Sequence, residues 1–300
     1  MHAAQTLRHA IRAGRDTGLT TGHAAGFVQA NLVVLPAAQA PGFLAFCAAN
    51  PRACPVLGAS ALGAPDTYTL PALGADIDVR TDLPGYLLHR RGQAPQPVND
   101  LKALWHKGLV AIALGCWFSM EDALRAAGVR LRHVELGIQG PLFKTHLPTV
   151  RAGAFGGSPL VVSMRPFASA SVDTVRRVTG SFPRVHGAPV HAGDPAVLGI
   201  TDLHTPDFGE VLLPLDGEVP LFWPCGLTAN LALEAAGVEF FITHVPGKML
   251  VTDWRNEQLR DEPPALIAPV ALIAPAALAA QGVAGAAATH ALQESTGHVH

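Results

Sequence analysis

Apolar runs of only five to seven residues, separated by glycine and proline, fill the first 258 residues. Runs of that length are too short for buried helices. Residues 109–114, 131–136, 159–164, 197–203, 219–223 and 238–243 therefore read as strands. Helical spacing falls at 3–13, 41–49, 119–127, 169–181 and 228–236, with Pro41 opening the second of these and Asn50-Pro51 ending it. Strands alternating with helices predict an α/β chain.

Composition narrows the function. The chain is 49% hydrophobic and 15% charged, so it has the means to bury a core. Its net charge of −2, with no basic run, argues against a nucleic-acid partner. Four cysteines, at 47, 54, 116 and 225, form no CxxC pair, which fits a reducing, cytoplasmic location. The N-terminus carries Arg and His where an export signal needs an apolar stretch. Residues 263–293 lack Asp, Glu, Lys and Arg, but Pro269 and Pro275 interrupt them and Ala dominates. They read as part of a flexible Ala/Pro-rich tail, 259–300, and not as a membrane span. No GxGxxG after a strand, GxxxxGK[ST], GxSxG or HExxH occurs, so no cofactor is called for. The apolar excess fits a homodimer.

One stretch echoes another. Residues 123–129, ALRAAGV, match 232–238, ALEAAGV, and the same offset of 109 carries Cys116 onto Cys225 and Ser119 onto Thr228. Each copy reads strand, Cys, hydroxyl helix cap, helix. Two cysteines are thereby expected at equivalent strand ends, where helix-start N–H groups favour anions and activate thiols. Glu121 stands in the first helical turn as a proton donor or acceptor. Gly226 admits a ligand close to the backbone, and Thr228 caps the helix beside it. His244, at a strand end before Pro246-Gly247, is placed for proton transfer.

Arg80 and Arg165 are candidates to grip a carboxylate, with Asp82 beside the first. Gln29 and Asn31 alternate with apolar neighbours and offer amides to a substrate. His186, His191 and Asp194 form a further constellation, read either as turn residues or as the metal ligands of a hydrolase. A small-acid binding protein without catalysis is the non-enzymatic alternative.

Nine segments in order resemble the D-glutamate cyclase family of hydro-lyases: GFVQANLVVLP, FCAANPRACPVL, DIDVRTDLPGY, LGCWFSMEDAL, VVSMRP, FPRVHGAPVHAGDP, GITDLHTPDFG, EVPLFWPCGLT and ITHVPGKMLVTD. Trp117 and Met120 stand where that family usually has Ser and Phe. The resemblance implies a three-layer α/β sandwich with a second, smaller α+β domain. We expect the core from 1–135 with 216–258, the smaller domain inserted at 136–215. It also implies loss of water from D-glutamate to give 5-oxo-D-proline, within D-amino acid metabolism. For that chemistry we expect Glu121 and His244 to move protons. The helix starts after Cys116 and Cys225 would contact the oxyanion or carboxylate, and Arg80 or Arg165 would hold the substrate carboxylate, with no metal and no cofactor. Cys116 as a thioester-forming nucleophile is the variant mechanism.

Overall fold

The computed structural model describes residues 1–61, 64 and 66–261, all within one compact unit. Of the tail expected at 259–300, residues 262–300 lie outside the described residues, and Leu259 ends a 3-10 turn, Asn256–Leu259. Two antiparallel sheets make up the architecture, with helices packed on them, so the chain is mixed α/β. The larger sheet runs β2 (Val56–Ala59), β5 (Leu109–Gly115), β1 (Phe27–Pro36), β10 (Phe240–His244), β3 (Tyr86–Arg90), β4 (Gln96–Val98), and β11 (Leu250–Arg255) also pairs with β1. The smaller runs β6 (Leu142–Pro148), β7 (Pro159–Ala168), β9 (Glu218–Pro224), β8 (His191–Ala192).

Strand β5, LVAIALG, is buried at every position because it lies between two strands with both faces covered. A continuous apolar run is what such a position demands. One apolar core joins the sheets, with Leu32, Ala113 and Leu250 of the larger and Phe167, Leu221 and Trp223 of the smaller in the same cluster.

The helices are α1 (Ala3–Arg12), α2 (Ala40–Ala49), α3 (Glu121–Ala126), α4 (Arg132–Glu135), α5 (Val172–Gly180) and α6 (Leu227–Ala235). Two strand readings are corrected. Residues 131–136 hold α4, and 197–203 begin inside a 3-10 turn, Pro195–Leu198. Short apolar runs do not separate a strand from a single helical turn by period alone. Within the expected core segment 216–258, β9 hydrogen-bonds to β7 and β8 in the smaller sheet, while β10 and β11 pair with strands of the larger.

The reason is a duplication wider than the sequence suggested. Strands β5 and β9 lie 109 residues apart end to end, and β1 and β7 lie 132 apart end to end. Helix α2 follows β1 as α5 follows β7. The registers agree: Ala30 faces Gly115, and Val162 faces Pro224 at the equivalent positions. The order β11-β1-β5-β2 in one sheet thus repeats as β6-β7-β9-β8 in the other.

Helix α1 docks by the face that carries Ala4, Arg8 and Ile11. Arg8, fully buried, donates to Val251 O at 2.8 Å and to Asp253 Oδ1 at 2.6 Å, and also binds Asp76. Asp82 accepts from Arg12 Nη2 at 2.6 Å and from Asp78 N at 3.0 Å. Replacing Arg8 with Met should destabilise the fold by about 1–3 kcal/mol, because the half-buried Asp76 and Asp253 lose their buried partner. Urea unfolding reads this out; a change below about 1 kcal/mol would contradict it.

Candidate active site

Both cysteine junctions open on one cleft, with about 430 Å³ of space between its walls, mouth included. The duplicated halves line it with equivalent residues: Cys116 and Cys225, Asn31 and Ser163, Phe118 and Leu227. In each half the thiol sits just past a strand end. In each half a hydroxyl three residues on clips to the neighbouring strand. Ser119 Oγ accepts from Gln29 N at 2.9 Å and donates to Gln29 O at 3.1 Å; Thr228 Oγ1 accepts from Val161 N at 3.1 Å and donates to Val161 O at 3.4 Å. These hydroxyls are therefore not the helix caps expected of them. They fix the turn that presents each thiol.

Three ionisable lining residues have no lining counterpart across the duplication. Arg165, 2% exposed, projects from β7. Its Nη1 donates to Met164 O at 2.8 Å and its Nη2 to Gln139 O at 2.7 Å, while Nε has no partner. The guanidinium lies 5.2 Å from the Trp117 ring. Among the described residues no acid pairs with it, and burial lowers its pKa to about 10. A buried cation held only by neutral groups favours an incoming anion. Gly140 leaves it room: with φ at +85°, a Cβ there would come 2.8 Å from Nη1.

His244 closes β10. Its Nδ1 lies 3.2 Å from Leu32 N and 3.4 Å from Leu32 O, so it accepts from the N–H in one neutral tautomer and donates to the carbonyl in the other. His186 has a single backbone partner. Its Nδ1 lies 2.7 Å from Arg52 O, a bond only an N–H can make, so Nε2 keeps a lone pair. Burial pushes both imidazoles down to about 4, hence both are neutral at neutral pH. His186 also adopts φ +88°, a conformation rare outside glycine, as at strained functional positions.

Burial also raises both thiols, Cys225 to about 11 and Cys116 further; the N–H groups of Leu227 and Phe118, two residues on, oppose this. Gly226 allows the Cys225 turn to touch Asn31. A Cβ on Gly226 would lie 2.5 Å from the Asn31 amide. Gly226→Ala should displace Asn31 from Gly115 O, which it meets at 2.8 Å, and lower the melting temperature by several degrees, on the scale of about 1–3 kcal/mol of overpacking. Differential scanning calorimetry checks it; an unchanged midpoint would count against this contact.

The remaining sequence candidates do not line the cleft. Glu121 is buried behind it, where Thr21 Oγ1 donates at 2.7 Å, Gly22 N at 3.0 Å and His133 Nε2 at 3.0 Å. Burial alone would raise its pKa, but the bond from His133 and the others hold it below the usual carboxylate range. Arg80 pairs with Asp78 at 2.7 Å and stacks on Tyr68, and Asp82 belongs to the α1 network. Gln29 donates to Thr20 O at 3.0 Å, and Thr228 is the clip described above. The third constellation divides: His186 joins the cleft, His191 donates to Asp194 O at 2.7 Å, and Asp194 caps a turn through Ala196 N at 2.9 Å. Among the described residues no three His, Cys, Asp or Glu side chains are arranged to hold a metal ion. None of the described helices is long and apolar enough to cross a membrane.

Sequence reasoning missed Ser163, whose buried Oγ lacks a partner, and the base-like tautomer of His186. Ser163 was visible as the one polar residue in LVVSM. The His186 tautomer depends on Arg52 O, which no local pattern reveals.

Comparison with known proteins identifies the family. The D-glutamate cyclase family model matches residues 110–253, a span that includes both cysteine junctions, Arg165 and both histidines. A "Putative hydro-lyase" of Burkholderia multivorans is 49% identical over 253 residues, covering 84% of this chain and 96% of its own length. One of Azorhizobium caulinodans is 48% identical over 253 residues, covering 84% of this chain and 92% of its own. Among solved structures, a nitrogen repressor-like protein from Methanococcus jannaschii aligns over 83% of this chain and 98% of its own at 9% identity and a TM-score of 0.34, and no argument is built on it. With relatives this similar across most of its length, the chain belongs to the D-glutamate cyclase family, a family of lyases.

Proposed function

We propose that the cleft removes water from a small amino acid carboxylate, and that D-glutamate cyclising to 5-oxo-D-proline is the reaction. Arg165 carries the reading: a buried guanidinium with an unpartnered Nε, and no acid in an ion pair with it among the described residues, supports recognition of the substrate's α-carboxylate. Asn31 and the partnerless Ser163 hydroxyl are at hand to orient the rest of the molecule.

Ring closure needs the ammonium to lose a proton before its nitrogen attacks the γ-carboxyl carbon. Two protons must then reach the oxygen that departs as water. His186 is suited to both transfers, since it lines the cleft and its Nε2 keeps a lone pair in the neutral ring. His244 takes a different part. In the tautomer whose Nδ1 accepts from Leu32 N, its Nε2–H is suited to hydrogen-bond the oxyanion that forms as nitrogen adds, without leaving the ring. The reading replaces the expected Glu121–His244 pair with His186 and His244. It keeps the cytoplasm as location, where four free thiols persist.

The test is incubation with D-glutamate, L-glutamate and a panel of hydroxy acids, followed by mass spectrometry for loss of one water. Conversion of D-glutamate to 5-oxoproline supports the reading. Loss of water from another acid only would keep the hydro-lyase and overturn the substrate. Saturable binding with no conversion would favour a carrier.

A further inference from the structure

The cyclisation just described uses the residues that break the duplication, Arg165, His186 and His244, and leaves the two thiols without a task. They are the chemistry-bearing groups that the duplication repeats. Cys116 follows β5 of the larger sheet and Cys225 follows β9 of the smaller, and both face the cleft that Arg165 enters. Each is held by the same devices, an N–H two residues on and a hydroxyl clip three residues on. The cleft also presents buried donors without partners, Ser163 Oγ and Trp117 Nε1. A site built of two equivalent halves can offer the same group to either side of one substrate atom.

We propose that Cys116 and Cys225 form a two-base pair that exchanges the proton on the carbon next to the carboxylate bound by Arg165, so that the cleft epimerises small α-amino or α-amido acids. The inference rests on the carboxylate reading of Arg165. In the forward step the Cys225 thiolate takes the α-proton: the C–H bond breaks, an S–H bond forms, and the electron pair moves into the carboxylate against the guanidinium. The Cys116 thiol then gives its proton to the other face of the planar carbon. An inverted acid leaves, the two sulfurs have interchanged protonation, and no oxidant, reductant or cofactor enters. The reverse reaction swaps their parts.

Direction follows from the surroundings. Burial raises both thiols, but Cys225 less, so it is the first of the two to ionise. Arg165 draws both down, Glu121 and Cys54 push one each upward, and His186 and His244 are neutral. The exchange rate should therefore climb about tenfold per pH unit from 7 toward 10, as the thiolate fraction grows.

The experiment incubates the full chain with each enantiomer of 5-oxoproline and of glutamate in deuterium oxide. Proton NMR follows loss of the α-proton signal, chiral chromatography follows inversion, and calorimetric titration reads binding of the same acids. We expect deuterium at the α-carbon with the wild-type chain. Cys116→Ser and Cys225→Ser should each lower exchange about 100-fold or more. They should differ in which enantiomer is hit harder, one variant sparing the hand that the other loses. Cys→Ala versions, with circular dichroism as the folding check, guard against a packing artefact. Binding without exchange, or exchange indifferent to both cysteines, overturns the thiol pair and leaves the carboxylate site standing. Equal loss with both enantiomers in both variants assigns the thiols a packing role and also overturns it. Absence of binding by any of these acids overturns the carboxylate reading, and the pair with it.

Discussion

Arg165→Met should weaken binding of small carboxylates by about 30- to 1000-fold, the equivalent of roughly 2–4 kcal/mol for a buried charge-assisted pair. The loss should fall on KM at least as heavily as on kcat, because the guanidinium holds the substrate in its ground state as well. Folding should survive. Both Nη groups bond only to backbone carbonyls, and no acid is left uncompensated when the charge goes. Removing a desolvated cation that has no ion-pair partner should even raise the melting temperature slightly. Arg165→Lys should not rescue fully, since an ammonium cannot span Met164 O and Gln139 O and still offer an N–H to the ligand. Titration calorimetry with 5-oxoproline and glutamate measures the first effect. Undiminished affinity in the methionine variant would remove the observation on which the functional reading stands.

His186→Ala should lower turnover by about 10²–10⁴-fold, the usual worth of a positioned proton carrier, with KM little changed. His244→Ala should lose about 10²–10³-fold, as when one oxyanion donor is removed. The pH profile separates the pair from ordinary histidines. Burial lowers both pKa values to about 4, so activity should stay level from neutral pH down to about 5 and drop only as the rings gain protons below that. A profile that breaks near 6.5 would mean that neither ring is the one that matters.

Stability has a related signature. His89, His133, His186 and His244 all have folded-state values near 4, lowered by burial from 6.5. The unfolded chain therefore binds more protons than the folded one between those limits. Stability is complete above about 6.5 and declines as pH falls toward 4, beyond which the loss levels off for these groups. Thermal melts between pH 4 and 8 read this directly.

How much of this the chain disclosed beforehand differs by feature. Cys116, Cys225, His244, Arg165, Asn31 and Gly226 were all singled out from sequence and all line one cleft. They were accessible because chain position announces them: a polar or reactive residue where an apolar strand stops, or inside one. Glu121, Arg80 and Asp82 looked equally suitable on that ground. What removes them is their partners, His133, Asp78 and Arg12, which are fixed only once the chain has folded. Sheet direction was also hidden. Strand–helix alternation pointed to an α/β chain but carried no strand direction, and every named pairing is antiparallel. The duplication was half visible. The match around 123–129 exposed the helices, but the β1–β7 correspondence has no sequence likeness and emerges from registers alone.

The pairing of β11 with β1 has a consequence for synthesis. The edge of β1 is completed by strands that leave the ribosome more than two hundred residues later, and Arg8 waits as long for Asp253. The smaller sheet, by contrast, draws all its strands from 142–224. During translation that sheet can close while the N-terminal third still has an open hydrogen-bonding edge, a state that chaperones recognise and that other chains can invade. Only when residues 240–255 emerge does the chain seal its own beginning, and the shared cleft acquires its His244 wall at the same moment.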